Sequence, residues 1–363
     1  YKHQNIAFSL SVSEIENMNL QEKIKFALKD TFKGFISCSA ECIALEFIFT
    51  DNINSFIVDK EFVRVKEVKV GKVQTHFKDG ELDFLIDNSN KFKVYINVSN
   101  NETLKSSLRI FNKAFKNNIE LQITTFYYRI FLLFTQIWNV ENNCSYVHAS
   151  AIEVNGESIL FTADSGVGKS SLLFKLSQDD SFKFIADDLT IISDQAESYY
   201  QGRCLSVKPY HLSFYNFLAD RLSLLMTRMQ KLQWKFLKDN RLTYRVSPND
   251  LFASICEKSK IKSIIHLCNH DKDTFEIKNI TSEELLNFTI PILTNELFLA
   301  NHKLNTLASL PFSPFHSTAK IYTASEDIFN SAFNNLSLKL VFVPFMSNPN
   351  ELYDFLKSEG CLN

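Results

Sequence analysis

Four kinds of chemistry-bearing side chain stand close together near the middle of this 363-residue chain. His148 comes first, Lys169 and Ser170 follow, and the pair Asp187-Asp188 comes last. A lysine ammonium beside a serine hydroxyl can hold a phosphate and a metal ion at one place. Two adjacent carboxylates can add a second metal contact and accept a proton from a hydroxyl, and a histidine can assist near the transferred group. The segment around the lysine reads Ala163-Asp-Ser-Gly-Val-Gly-Lys-Ser-Ser171, the pattern of a phosphate-binding loop. The chain has only 8 glycines, yet Gly156, Gly166 and Gly168 fall in this neighbourhood. Backbone N–H groups converge on a phosphate only where side chains leave room, and a following helix N-terminus adds partial positive charge. The expected cradle is Asp164, Ser165, Gly166, Val167, Gly168, Lys169, Ser170 and Ser171. One position departs from the pattern: Ala163 stands where the loop normally opens with glycine, and a β-carbon there is expected to narrow it.

The elements that must position these groups can be read around them. An apolar run, Ser158–Thr162, enters the loop as a strand, and Leu172–Leu176 leaves it as a helix. Tyr146–Val154, Asn155-Gly156 and Ser158–Thr162 read as a hairpin, because Asn-Gly favours a type I′ turn. Phe182–Ile192 reads as strand, acidic pair, strand; if it runs straight through, Asp187 and Asp188 face opposite sides. A final strand, Leu338–Phe345, leads to a helix with Asn348 as N-cap, Pro349 at its first position and Glu351 at its third. Upstream the texture is α+β. A helix is expected over Ser13–Phe32. Strands are expected over Cys42–Thr50, Phe62–Val70, Leu82–Ile86 and Lys93–Val98, and helices over Glu102–Phe115 and Ile119–Trp138. Polar Asn139–Asn143 marks a boundary. The expected division is an α+β domain over 1–142, suited to binding a substrate or peptide, and an α/β phosphate-loop domain with a mixed sheet over 143–363.

Composition bounds the partners. The net charge of −2 and the ordinary balance of 45% apolar and 22% charged residues point away from nucleic-acid and membrane-surface binding. The 34 phenylalanines supply large cores. Seven scattered cysteines fit reduced cytoplasmic thiols better than a disulfide framework. The most apolar window, Phe126–Trp138, is too short to span a bilayer and carries Arg129, so it is expected as a buried helix. No signal-peptide pattern opens the chain. A homo-oligomer is compatible with this composition.

Further cations are placed to line a cleft: Arg203 and Lys208, with His211 beside them, and Arg241 and Arg245, which can neutralise phosphate charge. His266-Leu-Cys268-Asn-His270 alternates metal-ligand types along one strand face but lacks a fourth ligand, so a metal site there is not expected. Cys38 and Cys42 are spaced for one helix face and are expected as plain thiols.

His148-Ala-Ser-Ala-Ile-Glu-Val-Asn-Gly, the loop through Ser171, and Phe184-Ile-Ala-Asp-Asp188 together resemble the HPr kinase/phosphorylase family. The likeness is greater to its shorter bacterial relatives, the HPr-kinase-like enzymes that phosphorylate serine in ribosomally made peptides such as lasso peptides. The resemblance implies an HPr kinase/PEP carboxykinase-like phosphate-loop fold and an ATP- and Mg²⁺-dependent phosphotransferase. It implies that Asp187 is the base for the accepting hydroxyl, that Asp188 and Ser170 are Mg²⁺ ligands, and that Lys169 and His148 act at the transferred phosphoryl. The glycine-rich signature downstream in HPr kinase/phosphorylases is missing, which separates this chain from HPr itself as a substrate. The expected acceptor is a serine or threonine of a peptide or protein. The alternatives are a small-molecule hydroxyl and a silent nucleotide-sensing adaptor. A GTPase ranks last, because no Asn-Lys-x-Asp motif is present.

Overall fold

The computed structural model describes residues 1–3, 6–38, 43–99, 118–237, 243–345 and 347–363. Arg241, Cys42 and the helix expected over Glu102–Phe115 lie outside these residues. The described residues gather into two units, one drawn from 1–99, 118–145 and 293–327, the other from 146–292 and 328–363. Among the described residues the chain passes from one unit to the other between Ser145 and Tyr146. Residues 293–327, grouped by the sequence reading with the second domain, pack in the first unit.

The first unit holds an eight-stranded mixed sheet. Its order is Lys2–His3, Ile6–Glu14, Leu45–Thr50, Asn90–Asn97, Leu82–Asp87, Gln74–Asp79, Val68–Val70 and Val63–Val65. Its first helix spans Met18–Thr31 rather than starting at Ser13, because Asn17 caps it by accepting the Leu20 N–H at 3.0 Å. Ser13 and Glu14 instead end a strand. The run expected over Phe62–Val70 breaks at Lys66, whose φ of 52° turns the chain into a hairpin. The helix expected over Ile119–Trp138 is continuous from Asn118 to Glu141, with a π-helical turn over Tyr127–Phe131. That wide turn offsets Phe126 and Phe131, which pack with Phe32 and Phe47 at ring separations of 5.1–6.3 Å. Arg129 meets Asp79 at 2.7 Å, so the one charge in the apolar window Phe126–Trp138 is paired.

The second unit is built on a nine-stranded mixed sheet. Five of its strands position the site: β1 (Ala149–Val154), β2 (Glu157–Ala163), β3 (Lys183–Ala186), β4 (Lys258–His270) and β5 (Ser337–Pro344). They lie in the order β3, β1, β2, β4, β5. β1 is antiparallel to both its neighbours, while β2, β4 and β5 run parallel. The carboxyl ends of β3, β2, β4 and β5 and the amino end of β1 therefore share one sheet edge. The β1–β2 connection turns through Asn155 (φ 55°) and Gly156 (φ 88°), both left-handed as a type I′ turn requires. Helix α1 (Lys169–Leu176) follows the loop, and helix α2 (Pro349–Ser358) follows β5 and packs on α1. Among the described residues no helix is long and apolar enough to cross a membrane.

Candidate functional site

The strand expected over Tyr146–Val154 is two strands, Cys144–Val147 and β1, interrupted at His148. The run over Phe182–Ile192 is likewise two, β3 and Thr190–Ser193, interrupted at Asp187-Asp188. The halves pair with one another: β1 lies beside β3, and Cys144–Val147 beside Thr190–Ser193. The two interruptions are thus brought to one level of the sheet, and the Thr190 hydroxyl ties them by donating to the Ala149 carbonyl at 2.8 Å.

The acidic pair is not a continuing pleat. Asp188 has φ 63°, a left-handed conformation that aspartate tolerates better than most residues. The two carboxylates do have different surroundings, but a turn rather than strand alternation separates them. Asp187 is buried. Its Oδ1 accepts from the Ser150 hydroxyl at 2.8 Å, the Ser170 hydroxyl at 3.0 Å and the Asp188 N–H at 3.0 Å. Burial, and then the charge of Asp188, push its carboxyl up to about 6. Asp188 pairs with Arg203 at 3.2 Å. Burial opposes its ionisation, but Arg203 and further positive groups outweigh that and hold it below the usual carboxylate range.

The loop turns on two glycines. Gly166 (φ 93°) and Gly168 (φ 111°) take conformations that other residues rarely adopt, and a Cβ at either would project into open space. Lys169 is 5% exposed and donates to the carbonyls of Ala163 at 2.8 Å and Asp164 at 3.0 Å, so it is held at the loop mouth. The Asp164 carboxylate accepts from the Ser165 N–H at 2.7 Å and shapes the entry. Tyr215 donates its hydroxyl to the Ser171 carbonyl at 2.8 Å and anchors the first turn of α1. Ala163 is the last residue of β2, paired with Leu267 and fully buried. It is absent from the residues with positive φ and from the cavity lining.

A cavity of about 520 Å³ opens over the loop. Ser165, Gly166, Val167, Gly168, Lys169, Ser170 and Ser171 line its floor, and His148, Asp188, Lys208, Tyr210 and His211 stand on one side. Burial, with Lys169 adding to it, pulls the His148 imidazole down to about 4, so the ring is neutral at pH 7. His211, pulled down to about 4 by burial and then Lys208, accepts the Lys208 N–H at 2.9 Å and is neutral too. Of the four expected substrate cations, Lys208 lines the cavity and Arg203 grips Asp188. Arg245 sits on a separate two-stranded ribbon and is not among the lining residues, and Arg241 lies outside the described residues.

His266, Cys268 and His270 do not assemble as ligands. His266 is buried against Phe288 and its Nδ1 meets the Thr162 hydroxyl at 2.9 Å, whereas Cys268 is exposed. Among the described residues no group of three metal-ligating side chains converges. No motif marks Ser150, Tyr215, Asn269 or Phe345; the sheet order and the packing of the loop helix bring them to the site.

No family model and no curated protein matches the chain. Among solved structures it is similar to the Hpr(Ser) kinase/phosphatase from Coxiella burnetii. The TM-score is 0.23 and the identity 14%, over 45% of this chain and 98% of that one.

Proposed function

We propose that the chain is an ATP- and Mg²⁺-dependent kinase that transfers the γ-phosphoryl group to a hydroxyl, most simply a serine or threonine of a peptide or protein. One observation carries the reading: the Ser170 hydroxyl, at the start of the loop helix, donates to Asp187 at 3.0 Å. This joins the phosphate cradle to the acidic pair, as metal-assisted phosphoryl transfer requires. The motif likeness to HPr-kinase-like peptide kinases supports the same assignment.

Bound Mg²⁺-ATP would supply the phosphoryl donor and neutralise its developing charge. Ser170 and Asp188 are the oxygen donors suited to the metal. Lys169, released from the Ala163 and Asp164 carbonyls, reaches the outer phosphates. Asp187 has all three of its hydrogen bonds on Oδ1, which leaves Oδ2 to take the acceptor's proton. Arg203 holds Asp188 in its ionised form, and neutral His148 offers a hydrogen bond at the transferred group. Ala163 has an ordinary strand conformation, which is compatible with a working loop.

The full chain, incubated with Mg²⁺-ATP and mixtures of serine- and threonine-containing peptides and of hydroxylated metabolites, is expected to phosphorylate one of them, read by mass spectrometry. Asp187→Asn should slow the transfer by roughly 10²-fold or more. A wild-type protein that binds ATP and phosphorylates nothing in either mixture refutes the kinase reading. Transfer confined to metabolites selects the small-molecule alternative.

A further inference from the structure

The cavity has two unlike ends. On one side of the phosphate loop stand the titratable His148, Asp188, Lys208, Tyr210 and His211, with Ser206 and Phe214 beside them. On the other stand Asn269, Val343, Pro344, Phe345, Ser347 and Asn348, none of which can ionise near neutral pH. Topology produces this split. Along the shared sheet edge the order is the acidic pair after β3, His148 before β1, the loop after β2, Asn269 near the end of β4, and Phe345 after β5. The charged and uncharged ends thus flank the loop in opposite directions.

We propose that the uncharged end is the nucleoside subsite, with the base of the nucleotide stacked on Phe345 and its edge read by the Asn269 amide. This rests on the phosphate-loop reading of the same site. The loop fixes the phosphates, and the Ser170–Asp187 bond fixes which way the reacting end faces. The nucleoside must then extend the other way. Parallel strands step about 4.8 Å apart, so the end of β5 lies about 10 Å from the end of β2, beyond a phosphate chain seated on the loop. Phe345 is 70% exposed, an apolar ring offered to the cavity rather than spent in the core. Its backbone is fixed, since its N–H donates to the His270 carbonyl at 3.1 Å. Asn269, paired with Val343 across β4 and β5, has an amide with both donors and an acceptor. This end is not a second phosphate site. The first turn of α2 is already capped: Asn350 and Glu351 donate their N–H groups to the Asn348 side chain at 2.8 and 3.1 Å, and the Glu351 carboxylate accepts the Asn348 N–H.

Titration calorimetry of the full chain with Mg²⁺-ATP and with Mg²⁺-tripolyphosphate separates the two ends. Wild type is expected to bind both, ATP more tightly. Phe345→Ala should weaken ATP about fivefold or more, the low end for loss of an aromatic stacking partner, and leave tripolyphosphate unchanged. Asn269→Ala should do the same to a smaller degree. Phe214→Ala, on the charged side, serves as the control and should not discriminate between the ligands. Equal loss for both ligands, no loss of ATP affinity, or selective loss in the control overturns the subsite while leaving the phosphate loop intact. Wild type that binds neither ligand overturns the loop reading itself.

Discussion

A methyl group at position 163 is the loop's departure from pattern, and its surroundings show why it is tolerated. Left-handed φ falls on Gly166 and Gly168, while Ala163 completes a strand, where glycine only adds freedom to the unfolded chain. Ala163→Gly should therefore lower stability by about 0.5–1 kcal/mol, read by urea denaturation, without tightening ATP. Tighter ATP binding by the variant would show that the β-carbon at 163 costs the loop affinity. Charge at this scale also sets a pH dependence. His148, His211 and His266 are each held down to about 4 by burial. They are neutral when folded and take up protons on unfolding below their free value near 6.5. Their contribution is complete above pH 6.5 and is lost as pH falls towards 4, at no more than about 1.4 kcal/mol per pH unit for each. Asp187, raised to about 6, acts in the opposite sense between roughly pH 4 and 6 and offsets one of them. Urea denaturation of the ligand-free protein at pH 7 and pH 5 should show a net loss of stability at the lower pH. An unchanged or rising value would contradict the buried neutral histidines.

Among the elements, α2 shows how local rules and packing reinforce each other. Asn348, Pro349 and Glu351 form a complete capping box, as their spacing announced. Leu352 and Leu356 are buried on the helix's inner face, which packs on α1. Asn348→Ala should lower the thermal midpoint, with a loss of about 1 kcal/mol, because two N–H groups lose their acceptor. Because this helix start helps line the uncharged end of the cavity, the same variant should weaken ATP more than tripolyphosphate; a normal midpoint would mean that the cap is redundant. The hairpin, the loop helix and α2 were all legible because turn and cap chemistry is local. The interruption at His148 was not, because Tyr146–Val154 has strand composition throughout; the acidic pair marked its own break, and only pairing across the sheet brings the two breaks to one level.

Viewed as a whole, the chain leaves its first unit, builds most of the second, returns through residues 293–327 and ends in the second. The returning stretch packs within the first unit: Phe315 meets Phe134 at a ring separation of 6.0 Å, and the Asn301 amide donates to the Tyr322 hydroxyl at 2.6 Å. A fragment of residues 143–363 would leave buried Leu304, Leu307 and Phe315 without that core. It should aggregate or melt without cooperativity by circular dichroism and size-exclusion chromatography, whereas the full chain should not. A monomeric fragment with a sharp melt would show that the return is dispensable. The sequence by itself determined the loop, its glycines, the cap of α2 and the identity of the acidic pair, because each depends on neighbours a few residues apart. Only the tertiary structure decided that Ser170 meets Asp187, that Arg203 rather than Arg245 grips Asp188, that Ala163 lies in a strand, and that Asn269 and Phe345 share the loop's cavity. Those relations come from the order and direction of β3, β1, β2, β4 and β5, which non-local hydrogen bonding selects and no short stretch of sequence encodes.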